Sequence, residues 1–458
     1  MSGSAKALVF LRHNNDVDQI VPVLWKWLTT SDVCVKVVLS GETDLSDDYR
    51  IEFLRRFDRF EAQHIYELLA PEERSMRKGR ILEERRQLAR QEDRRHRMER
   101  IDALPRFHPR RILRGVLRRM RGGAQSLVRP HWSIPWVGHD ESLFARIIEQ
   151  ELGDVGRALL VFDWISDNMV DYRRYAMGFM LAARRRGIRT VSLPHGDEPH
   201  ACWMTRRDEL DRSAPDIYST GAEFSAVVVP NELCQVRYLP HMPPERVPVL
   251  GSARYNKEWV SVIDRLLPEY DPVGRHEGLH LVMYLRHFGY PLFWDEIVRT
   301  IQMVTRFPDV HLVVVHHPRH RTLDPLIQAF PDLATGQSGN VSIVSNVPSG
   351  SLIRWADAVL DLGTSAVFEA VRLNKPILSM EYLHATYTTV SRLMPKTICH
   401  CRDHVLDAIE ALRQDPSAVG LDPVSRRRFL SEVVDVPDEN VLPRYVEFLN
   451  GMLHGGPA

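Results

Sequence analysis

Cysteine, net charge and long apolar runs are all scarce in this chain of 458 residues. Its five cysteines are odd in number and scattered, which argues against a disulfide framework and fits a reducing cytoplasm. Because the formal net charge is zero, overall charge indicates no particular partner. No apolar run approaches the ~20 residues that a membrane-spanning helix needs, and the first residues lack the pattern of a signal peptide. We therefore expect a cytoplasmic protein.

Signals for a metal or a dinucleotide are also weak. Cys399-His400-Cys401 is a dense group of metal-ligating side chains, but no second Cys/His pair follows at zinc-site spacing. Asp16-Val17-Asp18 is formally an Asp-x-Asp motif, yet its position beside a predicted helix start favours capping. The first predicted strand is not followed by the glycine fingerprint of a dinucleotide-binding fold. The sequence therefore predicts no metal and no bound cofactor.

Short apolar strands alternate with amphipathic helices along most of the chain, a pattern typical of parallel α/β sheets. A chain of 458 residues is too long for one compact core and suits two domains of about 200 residues each. We place the first domain at residues 1–250 and the second at 251–458, with a linker and bridging helix at 255–278. The predicted class is α/β, with two parallel-sheet domains.

Residues 49–130 interrupt this alternation and predict a helical insertion in the first domain. Residues 49–69 and 75–104 have the composition of long helices. Between 105 and 130 arginine is frequent and acids are absent, and apolar residues recur at helical spacing. This pattern predicts a short basic amphipathic helix.

The arginines of this helix predict a basic patch that binds an anionic membrane surface or a lipid-linked acceptor. The alternative is a solvated helix packed against its own domain. Nucleic acid is not expected as a partner, because aromatic residues do not interleave with the arginines. The basic patch comprises Arg110, Arg111, Arg114, Arg118 and Arg119.

The stretch from residue 358 to 380 predicts a strand, a tight turn, a helix and a second strand. Gly363 allows the backbone to turn sharply, and Thr364 and Ser365 are good N-cap residues. The turn would offer backbone N–H groups and two hydroxyls to a phosphate. Glu369, one helical turn further on, could reach ribose hydroxyls. The alternative is an ordinary strand–helix–strand unit with a Thr-Ser cap.

This stretch, Gly-Thr-Ser-x-x-Phe-Glu-Ala followed by Lys-Pro, resembles the nucleotide-binding half of GT-B glycosyltransferases. More narrowly, it resembles the CDP-glycerol glycerophosphotransferases and the Kdo and sialic acid transferases of bacterial surface polysaccharides. Supporting stretches occur at residues 193–196, 249–255 and 316–319, so that the resemblance covers about residues 155–382. It implies two Rossmann-like domains facing a cleft, with the acceptor on the first domain and the nucleotide on the second. It also implies a last helix that crosses back onto the first domain.

The resemblance implies nucleotide contacts at two loops of the second domain. His317 lies between a predicted strand and Pro318, and the matching His-Pro histidine of the resembling families contacts the nucleotide phosphate. Arg319 could add positive charge beside it. Arg286 and Gly289 lie in the first loop of this domain, where a guanidinium would suit phosphate geometry. The alternative for each is a surface loop residue.

Three residues of the first domain are candidates for the catalytic base. His195 lies in a Pro-His-Gly turn after a predicted strand, and the resemblance implies an essential residue there. Asp163 and Asp197 also fall at the ends of predicted strands. A carboxylate or a histidine can take the proton of an acceptor hydroxyl, so the sequence leaves all three open. Where some related transferases have an acidic pair followed by glycine, this chain has Pro199.

These residues and the resemblance indicate a metal-independent glycosyltransferase. We expect transfer of a sugar from a nucleotide-activated donor, CMP-Kdo first, to a glycan or lipid-linked glycan in bacterial capsule or lipopolysaccharide synthesis. Such an enzyme would be cytoplasmic, and peripheral on the inner membrane if the basic patch binds lipid. Three alternatives remain: a CDP-glycerol-type polyol phosphate transferase, a nucleotide-sugar 2-epimerase, and a non-catalytic GT-B-like binding subunit.

Overall fold

The computed structural model describes residues 5–40, 45–72, 141–153, 157–167, 169–197, 216–267, 269, 278–286, 292–315, 324–335, 337–344, 347–385, 388–434 and 440–455. The basic patch, Gly289, His317 and Arg319 lie outside the described residues.

Six strands form the first sheet within the described residues, and all of them run parallel in the order β3-β2-β1-β4-β5-β6. The strands are β1 (Lys6–Leu11), β2 (Cys34–Leu39), β3 (Phe60–His64), β4 (Ala158–Phe162), β5 (Arg189–Ser192) and β6 (Ala226–Val227).

The second sheet has seven described strands in the order β13-β12-β11-β7-β8-β10-β9. They are parallel except for the short edge strand β9, which runs antiparallel to β10. The strands are β7 (Leu279–Tyr284), β8 (Val310–Val315), β9 (Gln337–Ser338), β10 (Val341–Val344), β11 (Ala358–Asp361), β12 (Ile377–Met380) and β13 (Ile398–Cys399).

Helices connect the strands and cover both sheets. The described helices are α1 (Asn14–Thr30), α2 (Tyr49–Leu54), α3 (Glu141–Leu152), α4 (Val170–Arg184), α5 (Glu232–Gln235), α6 (Lys257–Leu266), α7 (Trp294–Val304), α8 (Asp324–Ala329), α9 (Ser349–Trp355), α10 (Ala366–Arg372), α11 (Thr389–Leu393), α12 (Arg402–Gln414), α13 (Pro423–Phe429) and α14 (Leu442–His454). In the described part of the chain, none of them is long and apolar enough to cross a membrane.

Each sheet is buried on both faces, which explains why its strands are almost uninterrupted apolar runs. Along β1, Ala7 and Val9 contribute to one hydrophobic core, while Leu8 and Phe10 contribute to the other. Successive side chains of a strand point to opposite faces, so both faces must be apolar. The predicted two-domain α/β architecture is confirmed.

The prediction of a long helix over residues 49–69 is wrong. Only α2 is α-helical, β3 follows as the edge strand of the first sheet, and a short 3-10 helix forms at Ile65–Leu68. An edge strand needs only part of its length to be apolar. Phe60 is buried, whereas Glu61 points to Lys36 of the neighbouring strand, with Nζ and Oε1 3.3 Å apart. The apolar residues that repeat at helical spacing within 49–69 therefore belong partly to α2 and partly to β3.

Residues 253–255 touch the cores of both domains, and α6 then packs on the first core again through Trp259 and Val262. Ala253 packs in the core of the first domain, and Tyr255 packs in the core of the second. The last helix, α14, returns to the first core, where the indole N–H of Trp27 donates to Asn450 Oδ1 at 2.8 Å. Tyr445 of α14 donates its hydroxyl to the carbonyl of Gly251 at 2.6 Å. The first domain is therefore built from both ends of the described chain.

Candidate active site

Polar side chains from three connections meet at the carboxyl edge of the first sheet. Arg12 directly follows β1, Asp163 directly follows β4, and His195 lies shortly after β5. Strands β1, β4 and β5 are consecutive neighbours and parallel, so their carboxyl ends lie side by side. Asp16 joins them because α1 begins immediately after β1. We call Arg12, Asp16, Asp163 and His195 the acid–base cluster.

Short contacts connect the acid–base cluster. The Nδ1 atom of His195 lies 2.7 Å from Oδ1 of Asp16 and 3.7 Å from Oδ2 of Asp163. Arg12 donates from Nε to both oxygens of Asp163, at 3.2 and 3.1 Å, and from Nη2 to the same carboxylate. The hydroxyl of Tyr172 donates to Asp163 Oδ1 at 3.1 Å, and its ring lies 3.8 Å from the Arg12 guanidinium carbon. The His195 side chain is 12% exposed, and the two carboxylates are fully buried.

Asp16 is held in its ionised form. Its Oδ2 accepts the backbone N–H groups of Arg12 at 2.7 Å and His13 at 2.9 Å. Burial alone would raise the pKa of Asp16, but the hydrogen bond from His195 and the charges of His195, His13 and Arg12 lower it well below its usual range. An ionised carboxylate only accepts hydrogen bonds, so the Nδ1 atom of His195 carries a proton. In a neutral imidazole, Nε2 is then the basic nitrogen.

Asp163 is the more basic carboxyl of the cluster. Its pKa is raised to about 6, because burial and the charge of Asp16 raise it more than the charge and hydrogen bonds of Arg12 lower it. Burial alone would also lower the pKa of Arg12, but the charges of Asp163, Tyr172 and Asp16 together outweigh it, so the guanidinium stays protonated. Near neutral pH the cluster therefore holds two carboxylates beside one permanent cation and one histidine. Such an arrangement can accept a proton and stabilise the resulting imidazolium.

The same side chains form a candidate group for a metal ion. Ligand atoms of Asp16, Asp163 and His195 lie within 4.8 Å of one another, a grouping found among the described residues. However, both oxygens of Asp163 already accept hydrogen bonds from Arg12, and Asp16 accepts from two backbone N–H groups and His195. A cation would have to displace the guanidinium, so the donor set fits a proton relay better than a metal site.

Asp197, the third candidate base, lies in a different neighbourhood. It is 3% exposed, and its Oδ2 accepts a hydrogen bond from Gln19 Nε2 at 2.8 Å. Its backbone carbonyl accepts from Asn231 Nδ2 at 2.7 Å. Burial raises the pKa of Asp197, and the charge of Arg254 opposes that shift. The structure thus brings His195 and Asp163 together, whereas Asp197 contacts other partners.

The turn after β11 has the sharp backbone that the sequence predicts. Gly363 adopts a φ of 82°, which side-chain-bearing residues rarely adopt. A Cβ atom at this position would meet Thr388 Cγ2 at 2.7 Å and Arg286 Nη1 at 3.2 Å. Arg286, which follows β7, is therefore beside the turn, and its contact with a phosphate stays a prediction. Ser365 is the N-cap of α10, although its hydroxyl makes no cap hydrogen bond.

Two of the backbone N–H groups that the sequence predicts to be free in this turn already have a partner. Asp361, the last residue of β11, accepts the backbone N–H groups of Gly363 and Thr364 on Oδ1, both at 2.9 Å. Burial raises the pKa of Asp361 to about 6, and the two N–H groups and the charge of Arg286 offset part of that shift. The Thr364 hydroxyl also lies 3.4 Å from Asp361 Oδ1. Ser365, in contrast, is exposed and its hydroxyl makes no cap hydrogen bond.

Glu369 lies on α10 and is 13% exposed. Its Oε2 accepts the Ser349 hydroxyl at 3.3 Å and lies 3.6 Å from Nη2 of Arg254. Its Oε1 lies 3.7 Å from Nη1 of Arg354. Two cations therefore flank the carboxylate that the sequence predicts to bind ribose hydroxyls.

Sequence reasoning missed several residues that shape these sites. Arg12 and Asp361 lie directly after a strand or at its end, and Asp16 lies in the first turn of the helix that follows, so polar residues beside apolar runs were the available signal. The Asp-x-Gly-Thr order at 361–364 also indicates a side chain that binds the following backbone N–H groups. The missed residues are Arg12, Asp16, Arg254 and Asp361.

Comparison with solved structures identifies the fold. The UDP-GlcNAc 2-epimerase from Neisseria meningitidis bound to UDP-GlcNAc is similar with a TM-score of 0.55 at 13% identity, over 97% of this chain and 99% of that one. The MnaA–UDP complex from S. aureus has a TM-score of 0.55 at 12% identity, over 98% and 97%. The UDP-N-acetylglucosamine 2-epimerase from Rickettsia bellii has a TM-score of 0.50 at 13% identity, over 98% and 99%.

At these identities the likeness establishes the fold, which is a GT-B-like arrangement of two parallel-sheet domains. No protein-family model matches the sequence, and no curated protein matches it. The narrower resemblance to Kdo, sialic acid and CDP-glycerol transferases stays a prediction.

Proposed function

We propose that this protein is an enzyme that acts on a nucleotide-activated sugar, and that it is a nucleotide-sugar 2-epimerase. The observation that carries the proposal is the buried acid–base cluster at the carboxyl edge of the first sheet. It stands in a fold shared with proteins named UDP-GlcNAc 2-epimerases, one of them bound to UDP-GlcNAc. A uridine nucleotide therefore replaces the cytidine nucleotide as the first choice.

The chemistry of epimerisation fits the acid–base cluster. Inverting C2 of a nucleotide sugar requires that the C2 proton leave while the bond between C1 and the phosphate oxygen breaks, which gives a C1–C2 double bond. A proton then returns on the opposite face of C2, and the phosphate oxygen re-forms its bond to C1. His195, with its Nδ1 proton directed to Asp16, presents a basic Nε2 for such a proton transfer. Asp163 is fully buried and paired with Arg12, so with its pKa of about 6 it would act through His195 and not directly on the sugar. Arg12 offsets the negative charge of the carboxylates.

The second domain would bind the nucleotide. Glu369 would accept the ribose hydroxyls, while the Ser365 hydroxyl and the Arg286 guanidinium would face the phosphates. His317 and Arg319 remain predicted contacts of the leaving phosphate. No bound cofactor is proposed, because the cluster already supplies groups that accept and donate protons.

A second candidate is the glycosyltransferase reaction, with CMP-Kdo as donor and a lipid-linked glycan as acceptor. The Gly-Thr-Ser-x-x-Phe-Glu-Ala and His-Pro sequences favour it. In that reaction, His195 would instead take the proton of the acceptor hydroxyl. Polyol phosphate transfer differs only in the group moved, and a non-catalytic binding subunit would not need the acid–base cluster. Cytoplasmic and peripheral-membrane location stay predictions.

Incubation with UDP-GlcNAc in deuterated water separates the candidates. An epimerase forms the C2 epimer and incorporates deuterium at C2, which nuclear magnetic resonance and mass spectrometry detect. A transferase leaves C2 unlabelled and releases nucleotide from its own donor only when an acceptor is present, so CMP-Kdo and CDP-glycerol are tested in parallel. Thermal-shift titration with UDP, CMP, CDP and GDP reports binding independently of turnover. If no nucleotide binds and no nucleotide sugar is changed, the proposal is wrong.

A further inference from the structure

Arg254 lies between two residues that pack in different hydrophobic cores. Its neighbour Ala253 packs in the first-domain core, and its other neighbour Tyr255 packs in the second-domain core. The Arg254 side chain is 15% exposed, so it is enclosed between the domains. A buried guanidinium requires carboxylate partners to offset the cost of leaving water.

The two carboxylate partners of Arg254 come from different domains. Its Nη1 lies 3.3 Å from Oδ2 of Asp18, on α1 of the first domain. Its Nη2 lies 3.6 Å from Oε2 of Glu369, on α10 of the second domain. One side chain therefore connects a helix of each domain.

These contacts belong to an alternating network of acids and bases. Asp18 also pairs with Arg50 of α2, and Glu369 also faces Arg354 of α9 at 3.7 Å. Asp18 and Glu369 therefore each keep a second cation if Arg254 is replaced. The replacement should alter the positions of these two carboxylates more than it alters the local charge balance. Each member of the network pairs with the next, in the order Asp48, Arg50, Asp18, Arg254, Glu369, Arg354 and Asp264.

We propose that Arg254 is a positioning residue for nucleotide binding, with Asp18 holding the guanidinium and the guanidinium holding Glu369. This inference rests on the proposed role of Glu369 in binding ribose hydroxyls. At 3.6 Å the contact between Arg254 and Glu369 is ionic and too long for a good hydrogen bond, so the carboxylate keeps lone pairs for hydroxyls. The first domain thereby contributes to nucleotide affinity through Asp18, a residue assigned no contact with the ligand.

Calorimetric titration with UDP tests the inference on the full chain, with CMP as a second probe. Arg254→Met should raise the UDP dissociation constant by about tenfold, equivalent to about 1.4 kcal/mol. Arg254→Lys keeps the charge and should recover part of the affinity. Asp18→Asn should weaken binding less than Arg254→Met, and the double variant should match Arg254→Met alone because Asp18 acts through Arg254.

A matched control is available in Lys26→Met. Lys26 of α1 pairs with Glu258 of α6 at 2.7 Å, so this variant removes another ion pair of α1 without touching the Asp18–Arg254–Glu369 chain. Its UDP affinity should equal that of the wild type. The melting temperature of every variant is measured to confirm that the fold is retained. If Arg254→Met fails to fold, the UDP affinity of Arg254→Lys tests the inference in its place.

The outcomes separate this inference from the proposed function. If the wild type binds UDP and Arg254→Met and Arg254→Lys bind it equally well, the positioning role is wrong and the proposed function stands. If the wild type binds neither UDP nor CMP, the proposed function and this inference both fail. Where turnover is measurable, KM should rise in Arg254→Met while kcat is largely retained, because the residue acts on nucleotide binding and not on the acid–base cluster.

Discussion

The Nδ1 atom of His195 lies 2.7 Å from a carboxylate oxygen of Asp16, although 179 positions separate the two residues in sequence. A buried carboxylate that accepts this proton fixes the tautomer and orientation of the imidazole. Such a pair is the support that a general base needs at a catalytic centre. The proposed chemistry therefore depends on both residues, in different ways.

Replacing the histidine should remove turnover but spare nucleotide binding. His195→Gln should lower kcat by roughly 100-fold or more, the usual contribution of a general base, with an unchanged dissociation constant for UDP. Asp16→Asn should lower kcat less, because Nε2 remains in place. His241→Gln is the control, since His241 also pairs with an aspartate, Asp216, at 2.8 Å but lies outside the acid–base cluster. Equal kcat for His195→Gln and the wild type would exclude His195 as the base.

Stability should depend on pH through Asp361. Its folded pKa of about 6 exceeds the usual value of 3.8, so the folded state favours the protonated form. The wild type should therefore lose stability as pH rises from 4 to 6, whereas Asp361→Asn should lack this contribution. The free energy of unfolding of the variant, relative to the wild type, should rise by up to about 3 kcal/mol across that window. Urea denaturation at pH 4, 5, 6 and 7 measures it, and a constant difference would contradict the raised pKa.

Two glycine substitutions should act in opposite directions. Gly363→Ala forces a side chain into a φ of 82° and against Thr388, so it should destabilise the protein by roughly 1–3 kcal/mol. Gly451→Ala, in α14, meets nothing within 4 Å and should stabilise it by about 0.5–1 kcal/mol. Thermal unfolding compares the two. A harmless Gly363→Ala would mean that the turn tolerates another conformation.

The hydroxyls of the same turn should differ in importance. Thr364→Ala combined with Ser365→Ala should weaken UDP binding by roughly 1–3 kcal/mol, the range for hydrogen bonds to charged groups. Most of the loss should come from Ser365, because the Thr364 hydroxyl is near Asp361. Calorimetry on the two single variants and the double variant tests this. Ser417→Ala, in an exposed turn where the hydroxyl bonds Asp415, serves as the control. Unchanged affinity in the double variant would place the phosphates elsewhere.

The basic patch, which lies outside the described residues, should bind anionic vesicles. Each arginine near an anionic surface contributes about 1 kcal/mol, and the attraction falls with salt. Co-sedimentation with vesicles containing phosphatidylglycerol should therefore succeed at low salt and decline at high salt. Vesicles of phosphatidylcholine alone are the control. Binding should be lost when Arg111, Arg114, Arg118 and Arg119 are replaced by Glu, and absence of binding at low salt would refute the membrane role.

The strands and helices of the second domain could be predicted closely, because residues that favour a positive φ mark where these elements end. Around the turn after β11, Gly363 and Asn374 both have positive φ, and the strand and helix bounds follow from them. In the first domain, Phe60 and its neighbours carry no such marker. Their apolar spacing fits a helix as well as an edge strand, and pairing with β2 decides between them.

The acid–base cluster could be predicted only in part. His195 and Asp163 were identified because they follow apolar strands, but convergence with Arg12 depends on β1 lying next to β4. That strand order is a property of the whole sheet, and the hydrophobic periodicity of a single segment does not predict it. Asp16 reaches the cluster because α1 begins one turn earlier than the position of Asp18 suggests. The partners of each carboxylate likewise depend on packing between distant segments.

The return of α14 to the first domain has a consequence for synthesis of the chain. Trp27 and Asn450, which hydrogen-bond in the finished protein, are 423 positions apart. During translation, the first-domain core therefore waits for its last helix until nearly all of the described chain has left the ribosome. The second domain, whose cores draw on residues 255–434, can assemble before that moment. Because the second-domain cores extend to Val434, both domains are complete in sequence only near the end of synthesis, the second shortly before the first.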